Sequence, residues 1–247
     1  MTDIPSPTEP KSVQYAIAWE KLPKEFYLPE SSTENTAQPL IAGALRESLE
    51  LAGYLQPNML IASHLNLCAK VNGEWIIKAP DWFFVKAIAP SSPPVSHVAD
   101  RRSYTPHLDG EVPQVVMEFV CEPNSRKYSS KRTFPYGRWF FYEGFLKVPI
   151  YIVFTPASGQ LEIYILQEIG YRLHYPDQNN RYWLADMELF VGVWQGEKEG
   201  RSGYWLRWWD RDGNMLPWAV EQIAQERQKV EKLTEKLRSL GINAEAS

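Results

Sequence analysis

Residues 115–120 read VVMEFV and carry one acid, Glu118, in the middle of an otherwise apolar run. Valine, methionine and phenylalanine in succession favour a buried β-strand. Burying a carboxylate is costly unless a cation or hydrogen-bond donors compensate it. Two interpretations follow: Glu118 holds a metal ion, or it is an ordinary strand residue that faces solvent at a sheet edge or pairs with a lysine or arginine.

A second acid, Asp81, lies in a similar apolar context in APDWFFV, residues 79–85. A hairpin is predicted around this acid, with MLIASHLNLCAKV as its first arm, a turn at Asn72 and Gly73, and EWIIKAPDWFFVKAIA as its second arm, which runs through Pro80 and Asp81. Strands joined through one loop usually pair, so Asp81 and Glu118 are expected to converge at one end of a sheet. Two ionised carboxylates at such a short distance repel each other, and a divalent cation such as Mg²⁺ would compensate both charges.

The rest of the chain predicts a mixed α/β domain. Residues 1–30 hold several prolines and little periodicity, which indicates an extended arm on the domain or a disordered segment. From Ser32, apolar residues at spacings of three and four predict an amphipathic helix that starts near Gln38. Residues 90–113 predict a long loop. Downstream, YGRWFFYEGFLK predicts a short helix, and VPIYIVFTP, QLEIYIL and GYRLHY predict strands.

The C-terminal part predicts two further features. Residues 187–214 and Trp218 carry five of the ten tryptophans, and Gly-containing turns there predict a β-rich cap on the main domain, residues 31–218. Residues 219–247 predict a charged helix. Its apolar residues repeat every seven positions, which favours a short coiled coil and a homodimer, with a monomeric surface helix as the alternative; these residues are Ile223, Val230, Leu233, Leu237 and Leu240.

Charge and composition limit the class of protein. The net charge of −4 excludes a wholly basic nucleic-acid-binding surface, so any phosphate contact is expected on one face. The two cysteines, Cys68 and Cys121, have no metal-binding spacing and are expected to be buried thiols. No stretch is long and apolar enough to span a membrane, and the N-terminus lacks the pattern of a leader peptide, so we expect a cytoplasmic protein without membrane contact.

A basic segment follows the Glu118 strand. Residues 125–138, SRKYSSKRTFPYGR, contain five cations and no acid, with aromatic residues between them. Such a segment can neutralise a phosphate backbone and stack on bases, although a solvated loop has the same composition. The candidate nucleic-acid-binding residues are Arg126, Lys127, Lys131 and Arg132.

In these motifs and their order, the chain resembles the Uma-two family of restriction endonuclease-like proteins, in the PD-(D/E)XK nuclease superfamily. The resemblance runs from Glu34 to the C-terminal helix and rests on APDWFFV, VVMEFV, FFYEGFLKVPIYIVF, GVWQGEKEG and YWLRWWDRDGNMLP. It implies a restriction endonuclease-like core, with a mixed central sheet flanked by helices. It also implies endonuclease activity, the hydrolysis of DNA phosphodiester bonds with Mg²⁺ or Mn²⁺ as cofactor.

The resemblance also implies roles for single residues. Asp81 and Glu118 would hold the metal, whose bound water would attack phosphorus. Val120 stands where the superfamily pattern has a lysine, so the catalytic cation would be Lys131 or Arg138. An arginine could stabilise the charged phosphate but could hardly exchange a proton with the attacking water. Glu34 or Gln38 would approach the metal as an accessory residue.

Two functions therefore compete. One is a metal-dependent endonuclease. The other is a catalytically inactive protein of nuclease fold that binds nucleic acid or protein, using the Trp-rich cap and the terminal helix to join a partner. The cation beside the two acids discriminates between them: Lys131 there favours the enzyme, and Arg138 alone there favours the binding module.

Overall fold

The computed structural model describes residues 14–23, 26, 36–90, 101–120 and 128–240. It is a mixed α/β structure, mostly sheet, as the sequence predicts. In chain order the strands are β1 (Ile17–Ala18), β2 (Leu60–Ala62), β3 (Asn66–Val71), β4 (Glu74–Lys78), β5 (Trp82–Val85), β6 (Ser103–Tyr104), β7 (Val115–Phe119), β8 (Ile150–Thr155), β9 (Gln160–Gln167), β10 (Gly170–His174), β11 (Arg181–Leu184), β12 (Leu189–Lys198) and β13 (Arg201–Trp209). The helices are α1 (Ala37–Leu51), α2 (Arg138–Phe140), which continues as a π-helical segment (Phe141–Leu146), and α3 (Ala219–Ser239). We call residues 138–146 together the crossover helix.

A six-stranded mixed sheet forms the centre, in the order β10-β9-β8-β7-β5-β2. Neighbouring strands are antiparallel except β7 and β8, which run parallel and are joined through the crossover helix. A parallel pair needs such a long connection, because the chain must return to the same end of the sheet. Strand β7 therefore lies inside the sheet, between β5 and β8, and Glu118 is not an edge residue.

The two faces of the central sheet are covered by different elements. Alternate residues of β7 point to opposite faces. Met117 and Phe119 belong to the apolar core under α1 and the three-stranded sheet β11-β12-β13. Val116 belongs to the core under the crossover helix and the small sheet of β1, β3, β4 and β6. Glu118 is two residues from Val116 and lies on that second side of the strand, facing the crossover helix.

The predicted hairpin is present but divided between two sheets. The Asn72-Gly73 turn joins β3 and β4 in the small sheet, whereas β2 and β5, the outer ends of the same two arms, pair in the central sheet. The arms bend at His64, whose backbone has φ of 54°, and at Pro80, whose carbonyl accepts the N–H of His64 at 3.0 Å. Proline has no N–H for a strand ladder, which explains why pairing stops there. The pairing of both parts confirms the predicted hairpin, whose arms bend at Pro80, and Asp81 lies at the bend.

The other predicted elements can be compared with the structure directly. Helix α1 begins within one residue of the expected start, and the strands β8, β9 and β10 are confirmed. The Trp-rich cap is the sheet β11-β12-β13. Residues 14–23 of the predicted arm include β1, which pairs with β3. Cys68 is buried, whereas Cys121 lies outside the described residues. Among the described residues, none of the helices has the length and apolar character that a membrane crossing requires.

Helix α3 is tied to the cap through its first turn. The guanidinium of Arg207, fully buried, donates to both carboxylate oxygens of Glu221 at 3.0 and 2.7 Å and stacks on the ring of Trp218, 3.6 Å from its centroid. Glu221 also accepts the backbone N–H of Trp218 at 2.8 Å, which caps the helix. The N–H of Ala219 donates to Glu47 of α1 at 2.8 Å.

Truncating Phe154 of β8 should destabilise the core strongly. Its side chain is fully buried and contacts Phe119 edge to face, with ring centroids 6.3 Å apart. We expect Phe154→Ala to lower the free energy of unfolding by about 3–5 kcal/mol, measured by urea denaturation. The control is Ile169→Ala in the β9–β10 turn, where the side chain is 78% exposed and the loss should be small. Equal losses in both variants would contradict this assignment of the core.

The ion pair at the base of α3 should make stability depend on acidity. Burial alone would raise the pKa of Glu221, but the hydrogen bonds from Arg207 outweigh it, and the pKa lies below the ordinary 4.5. The contribution of this charge is therefore complete above about pH 4.5 and is lost as the pH falls through the lowered folded-state value. Urea denaturation at several pH values should show that the stability difference between the protein and Glu221→Gln shrinks in acid. The exposed control Glu235→Gln should change stability little, and a difference for Glu221→Gln that stays constant in acid would contradict the assignment.

Candidate functional site

Asp81 and Glu118 come together at one end of the paired strands β5 and β7. Trp82 pairs with Met117, so Asp81, one residue before β5, stands beside Glu118 and Phe119. The N–H of Val120 points to β8, where it bonds to Phe154, and the N–H of Phe119 points to the other side. There the carboxylate Oδ2 of Asp81 accepts it. Asp81 thus occupies the place that a backbone carbonyl would take if β5 continued, and the expected convergence is present.

Protein donors surround the Asp81 carboxylate, which is buried. The amide Nε2 of Gln38, on the first turn of α1, donates to Asp81 Oδ1 at 3.2 Å and to the backbone carbonyl of Phe119 at 3.2 Å. His64 Nε2 lies 3.0 Å from the same Oδ1. Because an ionised carboxylate only accepts hydrogen bonds, His64 donates from Nε2. Asp81 is therefore held by a helix, by the hairpin bend and by β7.

Glu118 is completely buried and forms an ion pair with Arg138. The guanidinium Nη1 lies 2.7 Å from Glu118 Oε1, and the hydroxyl of Tyr142 donates to the same oxygen at 2.9 Å. Arg138 also donates to the backbone carbonyl of Ala79, at 2.8 Å, beside the hairpin bend. Arg138 and Tyr142 are four residues apart, which places them on one face of the crossover helix. A buried charge of this kind needs both a counter-charge and further hydrogen bonds, and both are present.

Burial and charge fix the protonation of the groups around Glu118. Burial alone would lower the pKa of the Arg138 guanidinium, but the charge of Glu118 raises it above its ordinary value, so Arg138 stays a cation. Burial and Glu118 together raise the pKa of Tyr142 well above 10. Burial raises the pKa of Tyr151 in the same way. The phenol of Tyr142 therefore remains a proton donor to Glu118 and does not supply a base at neutral pH.

Of the two candidate cations, Arg138 is the one that lies beside Glu118. Lys131 is exposed, and its ammonium makes no ion pair among the described residues. Its backbone carbonyl accepts the N–H of Gly137 at 2.9 Å, which holds Lys131 near the start of the crossover helix but leaves its side chain in solvent. The guanidinium of Arg138, and not the ammonium of Lys131, therefore lies beside Glu118 in the structure, and the catalytic role of either residue stays a prediction. Arg132 is also exposed, 5.2 Å from the ring of Phe140.

Three predicted residues cannot be placed. Arg126, Lys127 and Glu34 lie outside the described residues. Gln38, the other accessory candidate, is buried and contacts Asp81 directly. His64 and Tyr142 also contact the acids, and the sequence motifs do not identify them as site residues. Spacing could have indicated Tyr142, because it follows Arg138 by one helical turn, whereas no local pattern connects His64 to Asp81 before the bend at Pro80 is known.

A divalent metal ion at the two acids would have to compete with the protein donors that already hold three of their four carboxylate oxygens. Mg²⁺ requires about six oxygen ligands in a near-octahedral shell, usually including one or two carboxylates. Here Asp81 Oδ1 and Oδ2 and Glu118 Oε1 already accept hydrogen bonds from protein groups, and the Arg138 guanidinium supplies the positive charge. Within the described parts of the chain, His, Cys, Asp and Glu side chains form no cluster of three or more with metal-site geometry. The expected Mg²⁺ or Mn²⁺ ion stays a prediction.

A scan against protein-family models and a search of curated proteins find no match to this chain. The resemblance to the Uma-two family therefore stays a prediction that depends on the motifs themselves.

Removing the charge of Glu118 should destabilise the protein more than removing a surface glutamate. In Glu118→Gln the mostly buried guanidinium of Arg138 loses its counter-charge, which should lower the free energy of unfolding by about 3 kcal/mol. The matched control is Glu50→Gln, which breaks an exposed ion pair with Arg46 on α1. That change should cost less than about 1 kcal/mol. Chemical denaturation measures both, and equal values would contradict a structural role for the buried pair.

Proposed function

We propose that this protein is a nucleic-acid-binding module of nuclease-like architecture that binds without a resident metal ion and does not cleave its ligand. One observation carries the proposal: the cation on Glu118 is the guanidinium of Arg138, 2.7 Å away, and not a lysine. An arginine stays protonated at all accessible pH values, so it cannot take a proton from an attacking water. The site supplies fixed charge but no general base from this residue.

The hydrogen bonds of Asp81 support the same function. The amide nitrogen of Gln38 donates to Asp81 and to the carbonyl of Phe119, so it bridges these two oxygen atoms. Such an amide holds the two oxygen atoms together through hydrogen bonds and adds no charge. Gln38 thus supplies hydrogen bonds at Asp81 and Arg138 supplies the positive charge at Glu118, both from within the chain.

The basic segment next to the site supplies the binding chemistry. Lys131 and Arg132 are exposed, and Phe134 is 56% exposed, all within eight residues of Arg138. The N–H of Trp139 donates to the carbonyl of Ser129 at 3.1 Å, which fixes the segment against the start of the crossover helix. Exposed cations neutralise phosphates, and an exposed aromatic ring offers a stacking face for a base. The resemblance points to DNA as the nucleic acid.

A metal-dependent endonuclease is the second candidate function. It is favoured by the convergence of Asp81 and Glu118 across adjacent strands at the end of a mixed sheet flanked by helices, the arrangement that the resemblance implies. For this function the carboxylates would have to exchange their protein donors for a metal ion. The proposed module and the enzyme differ in one result, which is whether divalent cations convert binding into cleavage.

Removing two exposed cations should weaken nucleic-acid binding. Fluorescence anisotropy with labelled single- and double-stranded DNA, in buffer with a chelator, should show binding by the protein. Lys131→Ala with Arg132→Ala should weaken it and reduce the slope of log affinity against log salt by about one unit for each cation removed. Arg172→Ala with Arg211→Ala removes two other basic side chains, of β10 and of the turn after β13, and should leave the slope unchanged. The absence of binding by the folded protein would overturn the proposal.

Cleavage assays separate the two functions. Supercoiled plasmid is incubated with the protein, Asp81→Asn and Arg138→Lys, in Mg²⁺, in Mn²⁺ and in chelator. The proposal expects no nicking by the protein under any condition. Nicking that requires the metal and disappears in Asp81→Asn would establish the endonuclease instead. Arg138→Lys keeps the charge near Glu118 and tests whether a titratable cation is the missing group.

A further inference from the structure

Helix α3 lacks a buried face. It has 21 residues, and none of their side chains is buried against the rest of the chain. Most helices in proteins owe their stability to packing of an apolar face, because intrinsic propensity alone is marginal at this length. Yet the first turn is firmly tied to the cap through Arg207 and to α1 through Glu47. The helix is thus anchored at its start and presents the rest of its length to solvent.

The exposed length of α3 carries an apolar stripe. Ile223, Val230, Leu233 and Leu240 are 51–67% exposed, and with Leu237 they follow the heptad spacing. A groove of about 670 Å³ runs beside the first half of this stripe, between α3 and the end of α1. Its apolar lining includes Leu51, Ala219, Ile223 and Val230. The groove is at the opposite end of α1 from Gln38, so it is separate from the Asp81 and Glu118 site.

Charge is distributed unevenly along α3. Glu221 is paired with Arg207 of the same chain, so residues 222–228, with one acid and one base, have no net charge, whereas residues 229–239 hold four bases and two acids and have a net charge of +2. Two such helices avoid repulsion when they run antiparallel, because the basic half of each then lies against the uncharged half of the other. In a parallel pair with aligned heptads, the two basic halves would face each other, and Glu226 would face Glu226 in the seam.

We infer that two copies of the chain associate through an antiparallel pairing of their α3 helices. The apolar residues fit one register: Ile223 faces the partner's Leu240, and Val230 faces the partner's Leu233. In that register Glu226 faces the partner's Leu237 and lies beside the partner's Lys236, and its own ion pair with Lys229, at 2.6 Å, compensates its charge. The end of the partner helix fills the groove beside Leu51. The symmetry is two-fold, so the interface closes on itself and gives a dimer.

The mass in solution tests the association. Sedimentation equilibrium of the full chain, without nucleic acid, should give twice the 28.6 kDa of one chain. Val230→Glu with Leu233→Glu should give the mass of one chain, because it adds four charges to the centre of the seam. The matched control, Gln225→Glu with Gln228→Glu, adds the same charges on the outer face of α3 and should remain a dimer. A monomeric protein at every concentration, or a dimer that survives the seam variant, overturns the inference.

Disulfide trapping tests the direction of the helices. The background variant is Cys121→Ala, and burial raises the pKa of the Cys68 thiol to about 12, which keeps it unreactive. Ile223→Cys and Leu240→Cys, mixed and oxidised, should give the mixed disulfide between the two chains. Either variant alone should form little, because equivalent positions in the antiparallel register are about 25 Å apart. Efficient bridging of Ile223→Cys to itself would show a parallel pair and overturn the inference. Neither test uses nucleic acid or cleavage, so each outcome is independent of the proposed function.

Discussion

A fully buried negative charge in the central sheet constrains much of the surrounding structure. Glu118 lies on an interior strand, where water cannot solvate it, so its charge must be compensated within the fold. Arg138 supplies the counter-charge and Tyr142 a hydrogen bond, which fixes the position of the crossover helix against the sheet. The same guanidinium bonds to the carbonyl of Ala79, so the hairpin bend is tied to the ion pair as well. One carboxylate therefore positions a helix, a bend and a strand together.

Most of the secondary structure follows from patterns in the sequence. The alternation and apolar runs of β7, β8 and β9 predict strands, and the three- and four-residue spacing predicts α1, because these elements follow the periodicities that burial imposes. The apolar pattern predicts the two arms of the hairpin but does not reveal which sheet each part joins. Pro80 was the available signal for the division, since a proline interrupts a strand ladder.

The candidate site was predictable in part. Asp81 and Glu118 could be brought together because strands linked through one loop usually pair, and the structure pairs β5 with β7. The partners of the acids were harder to predict. Gln38 is about 40 residues from Asp81 in the chain, and its contact depends on how α1 packs across the sheet. The choice between Lys131 and Arg138 depends on which side chain faces the core. Residue type and spacing do not determine this.

The division of the hairpin also determines how the protein unfolds. Within the hairpin, the chain crosses between the small sheet and the central sheet at His64 and at Pro80, and these crossings are joined by the hydrogen bond between the two residues. Residues of both sheets also share one apolar core, so we expect the two sheets to unfold as one cooperative unit. Helix α3 is held through its first turn, and its exposed length can fray without disturbing either sheet. We therefore expect amide protons of the sheets to exchange through global opening, and those of the distal turns of α3 in a single chain to exchange through local opening.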